Sequence, residues 1–111
     1  MAFETAMEIF ELTEKFPALE KYSLTDQIRR SSRSVCSNIA EAFRKRRYPK
    51  SFIAKLNDSE GESAETQVWI EFSLKLNYIS KVEANNLYSK YDDIIGKLVI
   101  MSRQPEKWVI S

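Results

Sequence analysis

Apolar residues recur along this chain at steps of three and four, and the prolines at 17, 49 and 105 fall where that rhythm breaks. The period is helical, and no run shows the alternation of a strand. Four helices follow, over residues 2–15, 23–47, 50–77 and 81–103 of one domain spanning 1–111. In the first, Phe3, Ala6, Met7, Phe10 and Thr13 share a stripe that predicts the core face, with Ile9 and Leu12 left outside it. In the second the stripe is Leu24, Ile28, Ser31, Val35, Ile39 and Ala42, and in the fourth Leu87, Tyr91, Ile94, Leu98 and Met101. The third carries Phe52, Ile53, Leu56, Glu60, Ser63, Gln67, Ile70 and Leu74, a stripe with a polar middle. Such groups need partners when buried, and Ser31 or Ser32 stands level with them in an antiparallel hairpin. "SLTD" predicts Ser23 as an N-cap, Pro49 suits a first turn, and Ser80 with Glu83 reads as a capping box. Short links between such helices predict an all-α, antiparallel up-down-up-down four-helix bundle.

The outward faces differ from helix to helix. Opposite the core stripe of the second helix lie Arg29, Arg33, Ser37, Ala40 and Arg44, with Arg30 and Glu41 flanking. The third turns out Asp58, Glu62 and Glu65, then Trp69, Phe72 and Leu76. A bundle buries one stripe per helix, so this second apolar stripe predicts an interface, most simply with another copy of the chain. Gly96, opposite the core of the fourth helix, weakens a helix interior, a loss that close helix contact would offset.

Charge sharpens the picture. The formal net charge is only +1, yet residues 27–50 hold eight Lys or Arg against one Glu, and residues 58–71 hold five acids and no base. Folding the hairpin about residue 48 sets Arg30 and Arg33 level with Glu62 and Glu65, within a chain or between chains. The last basic residues, Arg44, Lys45, Arg46, Arg47 and Lys50, crowd the corner around Tyr48 with no acid near in sequence. Phosphates and an unpaired base would suit that corner, and a basic helix end also suits the helix dipole. Two uses of the arginines therefore stand side by side: nucleic-acid contact and ion pairing in an assembly.

Composition removes most chemistry. There is no histidine and one cysteine, Cys36, so the usual general base, the usual metal ligand and a zinc cluster are all missing. Gly61 and Gly96 are the only glycines, too few for a phosphate-cradling loop. Glu41, Glu60 and Glu65 are the remaining candidates for a metal, but they lack the Glu-x-x-His spacing of carboxylate-bridged bundles. No catalytic residue, cofactor or metal is predicted, and the expectation is a protein that is not an enzyme. The acidic start "MAFETAMEIFELTEKF" is unlike a secretory signal, no apolar run is long enough to span a bilayer, and a lone cysteine agrees with a reducing compartment. A cytoplasmic protein without membrane or small-molecule partners is expected.

"RRSSRSVCSNIAEAFRKR" followed by "ESAETQVWIEFSLKLNYIS" resembles the bacterial 23S rRNA-intervening-sequence proteins. Their pattern is an Arg-rich helix with S-I-P-x-N-I-A-E-G, then E-T-x-x-x-L-x-x-A-x-x-L-x-Y. The matching residues are Arg29, Arg30, Ser34, Asn38, Ile39, Ala40 and Glu41, then Glu65, Thr66, Gln67, Leu76 and Tyr78. Cys36 replaces the usual proline and Ala42 the usual glycine, so the second helix should run straight. The resemblance, over roughly residues 7–102, implies a four-helix bundle assembling as a homopentamer, similar to the nucleic-acid-binding accessory protein of diversity-generating retroelements. It implies no enzymatic activity.

Overall fold

In a computed structural model that describes residues 1–109, four α-helices account for most of the chain: α1 Ala2–Thr13, α2 Leu24–Arg44, α3 Pro49–Lys75 and α4 Lys81–Arg103. Short 3₁₀ turns at Ala18–Glu20 and Pro105–Lys107 complete the described residues, which contain no strand. α1 packs on α2 and α4, and α3 packs on the same two helices from the other side, so the four form a square rod 49 × 24 × 18 Å in extent. Contacts at Ser31–Thr66 and Val35–Ser59 run in opposite directions along α2 and α3, which are antiparallel. The all-α bundle is as expected.

The helix ends follow local chemistry. Pro49 occupies the first turn of α3, where no backbone donor is needed. Ser80 and Glu83 exchange both bonds of a capping box. α3 stops in a Schellman motif: Tyr78 N–H donates to the Ser73 carbonyl at 2.9 Å and Asn77 N–H to that of Leu74 at 3.0 Å, with Asn77 at φ 61°. Ser23 is not the expected side-chain cap. Its hydroxyl donates to Glu20 Oε1 at 2.6 Å, and the same carboxylate accepts from the Leu24 amide at 3.3 Å, so Glu20 does the capping. α2 ends at Arg44, before Arg47, because the chain turns at residues 45–48 to reach Pro49.

The core holds Ile9, Ile28, Val35, Phe52, Leu56, Ile70, Leu87, Tyr91, Ile94 and Leu98, each such side chain contributing about 1.5–3 kcal/mol by burial. Between α2 and α3 the contact is made by small polar residues, Ser31, Ser32, Ser59, Ser63 and Thr66, all buried. Ser59 donates to the Val35 carbonyl at 2.9 Å, Thr66 Oγ1 lies 2.8 Å from Ser31 Oγ, and Ser63 donates to the Ser59 carbonyl at 2.8 Å. Small side chains bring the two helix axes close, and each hydroxyl has a partner, so the seam costs no unsatisfied groups. Gln67 turns the other way and donates to the Tyr88 carbonyl and Asp92 Oδ1 on α4, at 3.1 and 2.8 Å. Glu60 stays half-buried.

α1 sits rotated from the expected orientation. Thr5, Ile9 and Thr13 are buried, and Ala2, Leu12 and Phe16 pack against the core. Phe3 and Met7 are exposed, and Ala6 and Phe10 are half-buried on the same outer side. The buried threonines satisfy their hydroxyls on their own helix, Thr5 on the Met1 carbonyl at 2.7 Å and Thr13 on that of Ile9 at 2.8 Å, so they bury as if apolar. Gly96 is also open: a methyl group built on it, or on Gly61, meets nothing within 4 Å. The close contact expected at Gly96 is not made within the chain.

Candidate nucleic-acid interface

The arginines of α2 divide by what they touch. Arg29 belongs to α1: its Nε donates to Thr13 Oγ1 at 2.7 Å, one Nη donates to the Phe10 carbonyl at 3.3 Å, and its guanidinium lies 4.3 Å from the Phe10 ring centroid. A cation at that carbonyl complements the C-terminal dipole of α1, whose last turn has no basic residue of its own. Arg30 forks to Glu62, at 3.0 Å, and to Glu65. Partial burial works against its charge, but the hydrogen bonds to the two carboxylates outweigh it and raise its pKa. Arg33 does not join them. It lies over the edge of Phe10 at 5.8 Å, one turn further along α2, and makes no ion pair among the described residues.

The corner is different again. Arg44, Lys45, Arg47 and Lys50 are exposed, as is Tyr48, and none of these cations meets a carboxylate among the described residues. Arg46 turns back, its Nε donating to the Phe43 carbonyl at 3.0 Å and its guanidinium 5.3 Å from the Phe43 ring. Arg44, Arg46, Arg47 and Tyr48 share a cleft with Ala40 and Phe43. Phe43 in turn meets Phe52 and Trp108, which close that end of the bundle. Glu41, the one acid of the basic stretch, is drawn away by Lys55 at 2.7 Å, whose hydrogen bond lowers the Glu41 pKa.

On α3, Glu62 and Glu65 are half-buried by their pairing with Arg30 inside the chain. Trp69 donates its indole N–H to Glu65 at 3.1 Å, packs partly on the core and meets Phe72 at 5.6 Å between ring centroids. Phe72 and Leu76 are about half exposed and share a depression with Tyr22 and Leu24. Tyr22, 85% exposed, belongs to this patch, yet no periodicity marks it because it sits in the connector before α2. Phe3 and Met7 form a second exposed apolar strip, hidden from sequence reasoning by their assignment to the core.

Nothing here gathers for metal chemistry. Glu41 and Glu65 are each held by a different cation, and no group of three His, Cys, Asp or Glu side chains converges among the described residues. Cys36 is half-buried, and burial pushes its thiol pKa up, away from a reactive thiolate. Among the described residues, no helix is long and apolar enough to cross a membrane.

No curated protein matches the chain. A crystal structure of a protein of unknown function from the S23 ribosomal protein family of Bacteroides thetaiotaomicron is similar, with a TM-score of 0.80 and 25% sequence identity over 91% of this chain and 94% of that one. The same four-helix arrangement therefore accommodates widely different side chains. The profile of the 23S rRNA-intervening sequence protein matches residues 1–99, and with most of the bundle inside that match, this chain belongs to the 23S rRNA-intervening sequence protein family.

Proposed function

We propose that this protein is a cytoplasmic, non-enzymatic homo-oligomer that binds RNA or DNA through phosphate contacts, without strong sequence preference, at the corner between α2 and α3. The observation that supports it is the set of exposed cations Arg44, Lys45, Arg47 and Lys50, which meet no carboxylate among the described residues and stand beside exposed Tyr48. A cation left in water gives up little on meeting a phosphate and releases the counterions condensed on the nucleic acid. Trp69, Phe72, Leu76 and Tyr22 supply the surface for assembly, and a pentamer is the state that the likeness to retroelement accessory proteins suggests. The absence of histidine from the sequence supports a binding role over catalysis.

The rival reading is a structural oligomer whose arginines pair with Glu41, Glu62 and Glu65 of neighbouring subunits. It has less support, since Lys55 and Arg30 of the same chain already hold those carboxylates. Titration of labelled RNA at several salt concentrations separates the two. Affinity should fall steeply with salt. Neutralising Arg44 and Arg47 should lower it and flatten the log–log slope by about 0.7 for each phosphate of a single strand that no longer meets a cation. Affinity indifferent to salt and to both substitutions would sink the electrostatic reading.

A further inference from the structure

Three depressions lie end to end along the outer face of α2 and share their walls. The first is lined by Lys21, Thr25, Arg29, Arg33 and Ser37. The second, of about 830 Å³, is apolar and sets Phe3, Met7 and Phe10 of α1 against Arg33, Ser37 and Ala40. The third is the corner cleft, which begins at Ala40 and reaches Arg44, Arg47 and Tyr48. Arg33 and Ser37 join the first to the second, and Ala40 joins the second to the third. One trough results, basic at both ends and uncharged over a saddle of two small, exposed residues.

We infer that this trough is the track of a single strand of nucleic acid, with phosphates held at Lys21 and Arg33 at one end and at Arg44 and Arg47 at the other, and with bases lying between them against the α1 wall. The inference rests on the nucleic-acid reading of the corner and extends it to a defined path. Charge is its first support. Among the residues lining the three depressions the only carboxylate is Asp26, against Lys21, Arg29, Arg33, Arg44, Arg46 and Arg47, with Arg30 already held by Glu62 and Glu65. Lys21 and Arg33 make no ion pair among the described residues. The buried hydroxyl of Thr25, which has no hydrogen-bond partner, lies at the same basic end.

Spacing and aromatic placement favour an unpaired strand. Arg33 and Arg44 are eleven positions apart on one uninterrupted helix, or about 16 Å, a span that takes roughly three to five nucleotides between stacked and extended forms. Phe3 is 68% and Tyr48 64% exposed, and they line the saddle and the corner. A base can lie on such a ring only when it is free of its own duplex stack. Ser37 and Ala40 keep the floor low enough for a sugar-phosphate backbone to approach α2 closely. Two charge stations on one short tether also act together, since a strand held at one is concentrated at the other.

The test uses the whole protein and labelled oligouridines of about two, four, six and eight nucleotides, with a duplex of the longest, in low salt. Affinity should climb about tenfold or more from two to six nucleotides and level off once both stations are spanned, with the duplex bound more weakly. Ala40→Gln, which raises the saddle, Ala40→Glu, which also repels phosphate, and Arg33→Gln should each flatten that climb. Both positions are exposed on α2, so circular dichroism should report an unchanged helix content. Ser37→Gln provides a second block in case an Ala40 variant misfolds. Should no oligonucleotide bind in a salt-dependent manner, the nucleic-acid reading itself falls. If binding is salt-dependent and abolished in an Arg44→Gln, Arg47→Gln variant, yet indifferent to the saddle and to Arg33, or if the duplex binds as well as the strand, the corner reading stands and the trough is overturned.

Discussion

Tyr91 is the largest fully buried side chain, and its phenolic hydroxyl has no hydrogen-bond partner. An orphaned polar atom in a core is a cost that the apolar isostere avoids. Tyr91→Phe should therefore raise stability, by about 1 kcal/mol in urea unfolding. The pH dependence follows from the same burial, which pushes the Tyr91 pKa well above its ordinary value. Above pH ~10 an unfolded chain loses the phenolic proton that the folded chain keeps, so stability falls as pH rises through that range. Tyr91→Phe should weaken the alkaline loss, measured as the unfolding midpoint between about pH 9 and 11. An unchanged profile would mean that water reaches the hydroxyl and leaves its pKa at the ordinary value.

At the scale of elements, the helix count and most helix starts were legible in the sequence because single residues set them. Pro49 tolerates only a first turn, and Ser80 with Glu83 satisfies two amides at once. The orientation of α1 was not legible, for a physical reason. Both of its faces are apolar by composition, and the one that is buried hides Thr5 and Thr13, whose hydroxyls are spent on backbone carbonyls. The α2–α3 seam was legible in part: Ser63 lay on the expected stripe with Ser31 and Ser32 level with it, whereas Ser59 and Thr66 count as polar in any hydrophobic pattern yet carry buried contacts. Arg30 with Glu62 and Glu65 was foreseeable from height along the hairpin; Arg29 clasping α1 was not, because nothing in spacing reveals which carbonyl a guanidinium will find. Asn77, which ends α3 with φ at 61°, gives a direct check. Asn77→Gly should be neutral or slightly stabilising, whereas Asn77→Ala should lower stability by about 1 kcal/mol, read from thermal melts.

For the whole molecule, the question is which surfaces a partner copy covers. The Tyr22, Phe72 and Leu76 patch lies apart from the Phe3 and Met7 strip that walls the trough, so assembly through the α3 patch leaves that strip open. If the α3 patch carries assembly, Phe72→Glu should shift the mass in light scattering toward the monomer with no change in helix content, since Phe72 is half exposed and its loss opens no cavity. A mass unaffected by the substitution would place assembly elsewhere. Gly96 offers a second reading of the same question: in open solvent Gly96→Ala should stabilise by about 1 kcal/mol, while under a tightly packed neighbour the added methyl would weaken the assembly.

The shortness of α1 has a kinetic consequence. Its 12 residues lie beside helices of 21 to 27, and its only fully buried apolar side chain is Ile9, helped by the buried Thr5 and Thr13, the partly buried Ala2 and Leu12, the Arg29 clasp and the ion pair of Glu8 with Lys90 at 2.6 Å. α2 and α3, by contrast, are locked by a continuous buried seam. Opening of α1 alone should therefore require far less free energy than global unfolding. Its amides should exchange with deuterium well before those in the middle of α3, and Arg29→Ala should hasten exchange in α1 while leaving α3 slow. The protein would then behave as a stable three-helix frame with one helix that breathes on its own clock.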